Sequence, residues 1–526
     1  MRLADSFAAG WQQPRRAGLR RSRAEFQLNA FATARTLANN VRMRRRLISL
    51  VLFVAGLRCF GALHAGDDGA DFVGVWQGEI IAPNTATSLG VAFIDTERGL
   101  LVSLSLPEMF IYNVNFGAAE IRDGTFELAP LNLKLRRVGS ELRGSFALAE
   151  LPVTLRPGSA FPDAPDIEEL PPAPAPRWQR ALDSAVWASP IVHEGIVYVG
   201  AVDGRVHAIR ATDGEPVWTW VGTAPLYGTA LATNDAIYLV DERDDLVRLE
   251  RATGKLRWRV SLRSDSAGEN PANPTFTHRS AAPIWDGRDL LYVGSTDGQV
   301  HAIRARTGKI AWSKSVGAPL YAPLALHGDT LLAGAFDGTL VGFNRRTRAE
   351  TLRVKLGGPI VSTPAVSGSL AIVGARDYLL YAVSLNDGRI AWRNSFWFSW
   401  VESSPRLEGG TLYIGSSDYR RVSALEPRTG AQKWATDVRG LTWGTPLVLG
   451  ERVFAATAGQ HLEGTVITHE GGIVALDRAT GSVVWRYRAP VPQGADMSGF
   501  AGSLATDGQV VIGVTLDGTM MAFPAN

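Results

Sequence analysis

From residue 177 to residue 523 one arrangement of apolar and polar positions recurs about every forty residues. In its clearest copy four short apolar runs follow one another: Ala188-Ser189-Pro190-Ile191-Val192, Ile196 to Gly200, Val206 to Ile209, and Pro216-Val217-Trp218. Asp203-Gly204 and Asp213-Gly214 separate the last three. Runs this short between Asp-Gly turns predict strands, and tight turns make neighbouring strands antiparallel. A tryptophan closes the phrase at Trp178, Trp218, Trp258, Trp312, Trp392, Trp434 and Trp485, with Leu352 where one is skipped. A period of this length marks an array of one supersecondary unit, and four antiparallel strands per unit make a propeller blade. Second-strand positions number eight: Tyr198, Tyr238, Tyr292, Leu332, Ile372, Tyr413, Phe454 and Ile512. The last copy stops near Phe523 without a fourth strand, whereas Trp178-Gln179-Arg180-Ala181-Leu182 is a fourth strand without the other three. The ends are therefore expected to complete one blade and close the ring, which removes free sheet edges.

Upstream the pattern differs. Residues 70–157 alternate apolar and polar positions over short stretches, Gly74 to Ile80, Leu89 to Ile94, Leu100 to Leu106, Thr125 to Leu128, Leu131 to Leu135, Leu142 to Leu148 and Val153 to Arg156. This predicts an antiparallel meander or small barrel over residues 66–159. Residues 160–176 follow with six prolines among acidic residues, an extended spacer expected to separate that domain from a propeller over 177–526.

Charge and targeting change the picture. Arg44-Arg45-Arg46 after Met43, the apolar run Leu47 to Leu57 and the small residues of Ala62-Leu63-His64-Ala65 read as a secretory signal over 43–65. Its apolar core of about 11 residues is short of the roughly 20 that a membrane helix requires, so no transmembrane segment is expected in the mature chain. Residues 1–42, Arg-rich and without a long apolar run, read as an upstream extension or a disordered segment; the apolar core that follows disfavours a mitochondrial presequence. Residues 1–65 hold 12 of the 54 basic and 2 of the 51 acidic residues, which leaves 42 against 49, a net of −7 in place of +3. An acidic mature chain argues against nucleic acid as a partner. Cys59, the one cysteine, lies in the signal behind Arg58, unsuited to lipid attachment, and the mature chain has no thiol for disulfides or Cys-ligated metal.

Ala302-Ile303-Arg304-Ala305-Arg306-Thr307-Gly308-Lys309-Ile310-Ala311-Trp312 and its relatives ending at Trp218, Trp392, Trp434 and Trp485 share AxxxxxGxxxW. They resemble the tryptophan-docking repeat of the eight-bladed pyrroloquinoline quinone (PQQ) propeller family. That resemblance covers roughly Arg177 to Phe523 and implies that each tryptophan packs between neighbouring blades. It offers two functions: PQQ-dependent dehydrogenases oxidising alcohols or sugars, with calcium and a pair of adjacent cysteines at the funnel, and cofactor-free scaffolds like the BamB-like subunit of outer-membrane β-barrel assembly.

Funnel positions discriminate between them. Eleven residues before the second-strand markers, with small adjustments, the ring reads Trp187, Tyr227, Ser280, Tyr321, Val361, Glu402, Trp443 and Ala501. One carboxylate is a poor cage for calcium, which takes six to eight oxygen ligands. Glu402 and Trp443 stand as the cofactor-binding candidates of the PQQ reading; the expectation is no cofactor, no metal and no catalytic residue. His207 and His301 share one repeat slot and read as template, His461 and His469 share an insertion, and Asp203, Asp297, Asp337, Asp377, Asp418 and Asp517 read as turn formers.

Insertions at Arg263 to Arg279, Ala458 to Glu470 and Pro490 to Phe500, with the aromatic loop Phe396-Trp397-Phe398-Ser399-Trp400, all fall on connections that emerge on one face. Phe396, Trp397, Phe398 and Trp400 are the expected partner-binding residues, since aromatic loops on a rigid scaffold suit recognition; cover over the funnel or packing against the N-terminal domain is the competing reading. Taken together, the chain reads as an all-β, exported, periplasmic or secreted, non-catalytic scaffold for a protein or peptide in the cell envelope.

Overall fold

The computed structural model describes residues 67–82, 85–97, 99–107, 111–128, 131–146, 150–159, 161, 171–263, 281–396, 399–460 and 469–525. The expected signal, its upstream extension and Cys59 lie outside them. Apart from one helical turn, Asp67–Ala70, and isolated turns, the regular structure is all strand.

Nine antiparallel strands form the N-terminal sheet: β1 (Gly74–Ala82), β2 (Thr85–Thr96), β3 (Gly99–Leu106), β4 (Ile111–Ala118), β5 (Ile121–Arg122), β6 (Thr125–Leu128), β7 (Leu133–Val138), β8 (Glu141–Phe146) and β9 (Leu151–Gly158). Their order is β4-β3-β2-β1-β9-β8-β7-β6-β5, so β9 returns to pair with β1 and the sheet curls around one core. Phe72, Trp76, Phe93, Phe126 and Phe146 fill that core, and the Trp76 indole donates to the Phe72 carbonyl at 2.7 Å. The strand β4 had no counterpart in the sequence reading. Its apolar Tyr112, Val114 and Phe116 alternate with Asn113 and Asn115, and two register shifts against β3 put Asn113 in the left-handed region. Bulges of this kind break the period on which strand assignment relies.

Eight blades follow. Seven are continuous in sequence: Ile191–Val221, Leu231–Ser261, Ile284–Ser315, Ala325–Lys355, Ala365–Ser395, Arg406–Asp437 and Leu447–Arg488. Blade 8 takes three strands from Ala505–Pro524 and its fourth from Trp178–Ala181, paired antiparallel as Trp178 opposite Ala522 and Ala181 opposite Thr519. The ring is closed as the incomplete ends predicted.

The geometry explains the AxxxxxGxxxW phrase. Tyr198, Ala208 and Trp218 lie side by side on strands two, three and four of blade 1, and the same row recurs as Tyr292, Ala302, Trp312 and Tyr413, Ala424, Trp434. The alanine is short enough for the flanking rings to meet above it, at centroid distances of 5.8 to 5.9 Å. A register shift follows that alanine in each of these blades. Each indole then reaches the next blade. Trp218 donates to the Arg251 carbonyl at 2.8 Å and Trp434 to that of Arg478 at 3.1 Å. A Cβ placed on Gly254 would lie 2.5 Å from the Trp218 ring, and one on Gly481 2.6 Å from Trp434. Glycine serves these turns twice over, giving room for the indole and a left-handed backbone, φ 69° and 77°. The tryptophans therefore belong to the joints between blades.

Turns between strands two and three use the expected aspartates: Asp203, Asp337 and Asp377 each accept the backbone N–H two residues on. Blade 2 departs from this, with Asp241 buried at 4 % exposure and accepting from the N–H of Arg243 and Asp245 at 2.9 and 3.0 Å. Burial raises its pKa, opposed by those hydrogen bonds. A carboxyl with a raised folded-state pKa lends stability fully present below its unfolded pKa and lost as pH rises through the folded one. Asp241→Asn keeps the acceptor and removes the charge. Its melting temperature is expected to exceed the parent's at pH 7, and the gain to vanish at about pH 3, below the ordinary Asp range. Thermal unfolding at the two pH values checks this.

Candidate functional site

First strands converge on the propeller axis. Their small polar residues tie blade to blade: Thr363 N–H donates to Ser404 Oγ, Thr445 N–H to Ser503 Oγ and Ser503 N–H to Ser189 Oγ, each at 2.9 Å. At the mouth, Trp187 and Trp443 stack across the axis side of blade 8 with centroids 6.2 Å apart and planes 17° from parallel. Trp443 Nε1 donates to Ser417 Oγ at 2.9 Å. Tyr227 is 7 % exposed and burial pushes its phenol well above its ordinary pKa. Tyr321 packs edge-on against Phe336 at 5.0 Å. Ser280 lies outside the described residues.

Glu402 is held by Arg376, with Nη2 to Oε1 at 2.6 Å. That guanidinium also lies over the Trp400 ring at 4.5 Å and faces Phe336 at 5.7 Å. A carboxylate compensated by a buried arginine is a weak ligand for a divalent cation, and among the described residues no three His, Cys, Asp or Glu gather to hold a metal. The described funnel therefore does not fit a calcium-held quinone. His301 is a structural residue, bonded through Nδ1 to Ser313 Oγ at 2.8 Å and through Nε2 to Ser295 Oγ at 3.2 Å. Burial lowers the pKa of His207 in the same slot.

The elaborated rim is a joined surface. In blade 7 the second strand runs on to Gln460, where Ala458, Gly459 and Gln460 pair with Gly499, Ser498 and Met497 of the connection leading to blade 8. Leu441, entering blade 7, bridges to Ala458. Three connections thus share one ladder on one face. Beneath it the side chain of Arg486, 2 % exposed, meets Glu470 at 3.2 Å; burial lowers the guanidinium's pKa and Glu470 opposes that. The spacer docks on the same strand: Arg486 N–H donates to the Pro171 carbonyl and Ala173 N–H to that of Arg486, at 2.8 and 2.9 Å. On blade 6, Tyr419 in the connection from strand two to strand three packs against the core of the N-terminal sheet. That sheet meets the propeller on the elaborated face.

The four aromatic candidates separate. Phe396 is 4 % exposed and packs with Trp392, Val401 and Leu412 in the core between blades 5 and 6, so it offers no surface to a partner. Its backbone explains this, since Phe396 N–H continues the blade by donating to the Tyr378 carbonyl at 2.8 Å. Trp400 is half-buried against Arg376; Trp397 and Phe398 lie outside the described residues. Sequence reasoning missed Arg376 and Tyr419. Both sit beside the turn aspartates Asp377 and Asp418, and a ring counted from strand two to strand three as well as from strand one would have shown them.

A family model described as outer membrane protein assembly factor BamB matches residues 173–299, 296–397 and 394–526. BamB of Moranella endobia is 25 % identical over 145 residues, 27 % of this chain and 33 % of that protein. The quinohemoprotein alcohol dehydrogenase ADH IIB of Pseudomonas putida is 28 % identical over 153 residues, 26 % of this chain and 21 % of that enzyme. These matches span a third or less of the relatives' own length. Among solved structures, BamB from Moraxella catarrhalis superposes with a TM-score of 0.50 at 18 % identity, covering 66 % of this chain and 97 % of its own. That likeness is one of fold. With the family model running through the whole propeller, the chain belongs to the BamB family of PQQ-type β-propellers.

Proposed function

We propose that this chain is an exported, non-catalytic propeller scaffold that binds a protein or peptide partner in the cell envelope, as a BamB-like factor in outer-membrane protein assembly. Family membership over residues 173–526 carries the reading. The ladder joining the connections at Ala458 and Gly499 supports it by giving the insertions a shared, rigid base. Trp400 and the exposed Val491 belong to that face, and Trp397 and Phe398 belong to it by sequence. No helix among the described residues is long and apolar enough to cross a membrane. Delivery by the signal at 43–65 and a mature chain of sheet, spacer and propeller are part of the proposal.

A photo-crosslinking residue at Val491, 51 % exposed on the elaborated face, is expected to capture a defined envelope protein in cells. The same residue at Leu256, 40 % exposed on an outer strand, is expected to capture none. Equal capture at both positions would count against the reading. The quinohemoprotein match favours a second reading, PQQ-dependent oxidation of an alcohol or sugar. Adding PQQ and calcium is expected to give neither a stoichiometric quinone absorbance nor dye-linked oxidation; either signal would replace the scaffold by the dehydrogenase.

A further inference from the structure

Turns between strands one and two and between three and four emerge on the face opposite the insertions. There the joint between blades 3 and 4 departs from the repeat. At other joints a glycine faces the incoming indole: Gly214 meets Trp178, Gly254 meets Trp218, Gly308 meets Trp258, Gly430 meets Trp392 and Gly481 meets Trp434. Opposite Trp312 the position is Arg348, held at φ 64°, with its guanidinium 6.0 Å from the Trp312 ring. The left-handed region is disfavoured for a non-glycine residue, so Arg348 sits where the repeat calls for glycine.

A pocket of ≈ 550 Å³ opens at this joint. Its volume lies in the range of small-molecule sites. Tyr292, Ile310 and Trp312 line it together with Arg304, Lys309, Arg345, Arg346 and Arg348. Three carboxylates answer three of these cations. Asp289 pairs with Arg304, and Asp286 and Asp329 pair with Arg345 at 3.4 and 3.1 Å, Asp329 also with Arg346 at 3.0 Å. Arg345 is a joint-forming residue, as Arg251 is one blade pair earlier: each reaches an acid in the strand one to two turn of the preceding blade, Asp286 and Glu194 respectively. Lys309 and Arg348 make no ion pair among the described residues. The pocket is left with a surplus of two positive charges.

We propose that this pocket binds a phosphate group carried on a small organic body, with Arg348 and Lys309 as its cationic ligands. A phosphate monoester carries close to two negative charges at neutral pH and matches the surplus, where a carboxylate would neutralise half of it. The pocket is larger than a phosphate alone, and Ile310, 37 % exposed, supplies an apolar surface for the attached body. This inference is independent of the partner on the elaborated face.

Arg348→Gly restores the glycine of the repeat while deleting the cation, so a loss of binding is not a loss of fold. Calorimetric titration of the full chain with glycerol 3-phosphate tests a free phosphate ester, and sedimentation with phosphatidylcholine vesicles with and without phosphatidic acid tests a lipid headgroup. Saturable binding to either phosphate probe is expected, weakened about tenfold or more in Arg348→Gly, the loss of a charged hydrogen bond, and reduced in Lys309→Gln. Glycerol and plain phosphatidylcholine are expected not to bind. The melting temperature of Arg348→Gly is expected to equal or exceed the parent's. Binding of neither phosphate probe, or equal binding by parent and both variants, would overturn the proposal.

Discussion

A chain ending at Gly518 is expected to lose the propeller altogether. The deletion removes the third strand of blade 8, Thr519–Pro524, to which both Val510–Val514 and the N-terminal strand Trp178–Ala181 are paired. Three consequences add. Met520, Met521, Ala522 and Phe523, all nearly inaccessible, are taken from the cores on either side, at roughly 1.5–3 kcal/mol for each large side chain. Trp178–Ala181 loses its partner strand, and the ring opens. Val510–Val514, buried in the closed ring, becomes a free apolar edge of the kind that templates aggregation. Against a total stability of about 5–15 kcal/mol these losses are decisive. Soluble yield and the cooperative unfolding transition should both disappear. A truncated chain that still melts cooperatively would mean that seven blades hold the ring without the eighth.

Trp434→Ala is expected to open a joint between blades at a large cost in stability. The indole is 9 % exposed, packs against Tyr413 at 5.9 Å within its own blade, and donates to the Arg478 carbonyl of blade 7. Removal leaves a cavity between two blades, one unsatisfied carbonyl and the Gly481 turn without its cover. Large aromatic to alanine changes in a core cost about 3–5 kcal/mol, and the joint adds the hydrogen bond. Chemical denaturation should show the unfolding free energy falling by that amount. Leu352→Ala, at the one joint built without tryptophan, should cost less, about 2–5 kcal/mol, because no indole hydrogen bond is lost. Equal costs at both positions would show that neither the larger ring nor its hydrogen bond adds to the joint.

Much of the joint was legible before any coordinates. The alanine, glycine and tryptophan of the phrase answer local demands: a small residue between two rings, a left-handed turn and a large planar donor. Local demands recur identically in every copy, so repetition exposes them. The funnel was half legible. Trp187 and Trp443 could be counted to the mouth, but that they stack on each other two blades apart depends on how tightly the first strands converge. The Arg376 and Glu402 pair was hidden for a related reason, since the two residues are 26 apart in sequence and come from adjacent blades. Phe396 looked like a loop aromatic because it heads the run Phe396-Trp397-Phe398. Its backbone still belongs to blade 5, which turns its ring into the core.

By itself the sequence determined the architecture: the number of blades, the closure by Trp178–Ala181 and the antiparallel N-terminal sheet. All follow from periodicity, because strand length, turn chemistry and side-chain alternation are properties of neighbouring residues. Only the tertiary structure decided which side chains meet across joints. It seated Tyr419 against the N-terminal core, neutralised Glu402 with Arg376, turned Phe396 inward, and brought Arg348 and Lys309 to one pocket beside Trp312. Such meetings join residues tens of positions apart, and the geometry of ring closure, which no local pattern encodes, selects them.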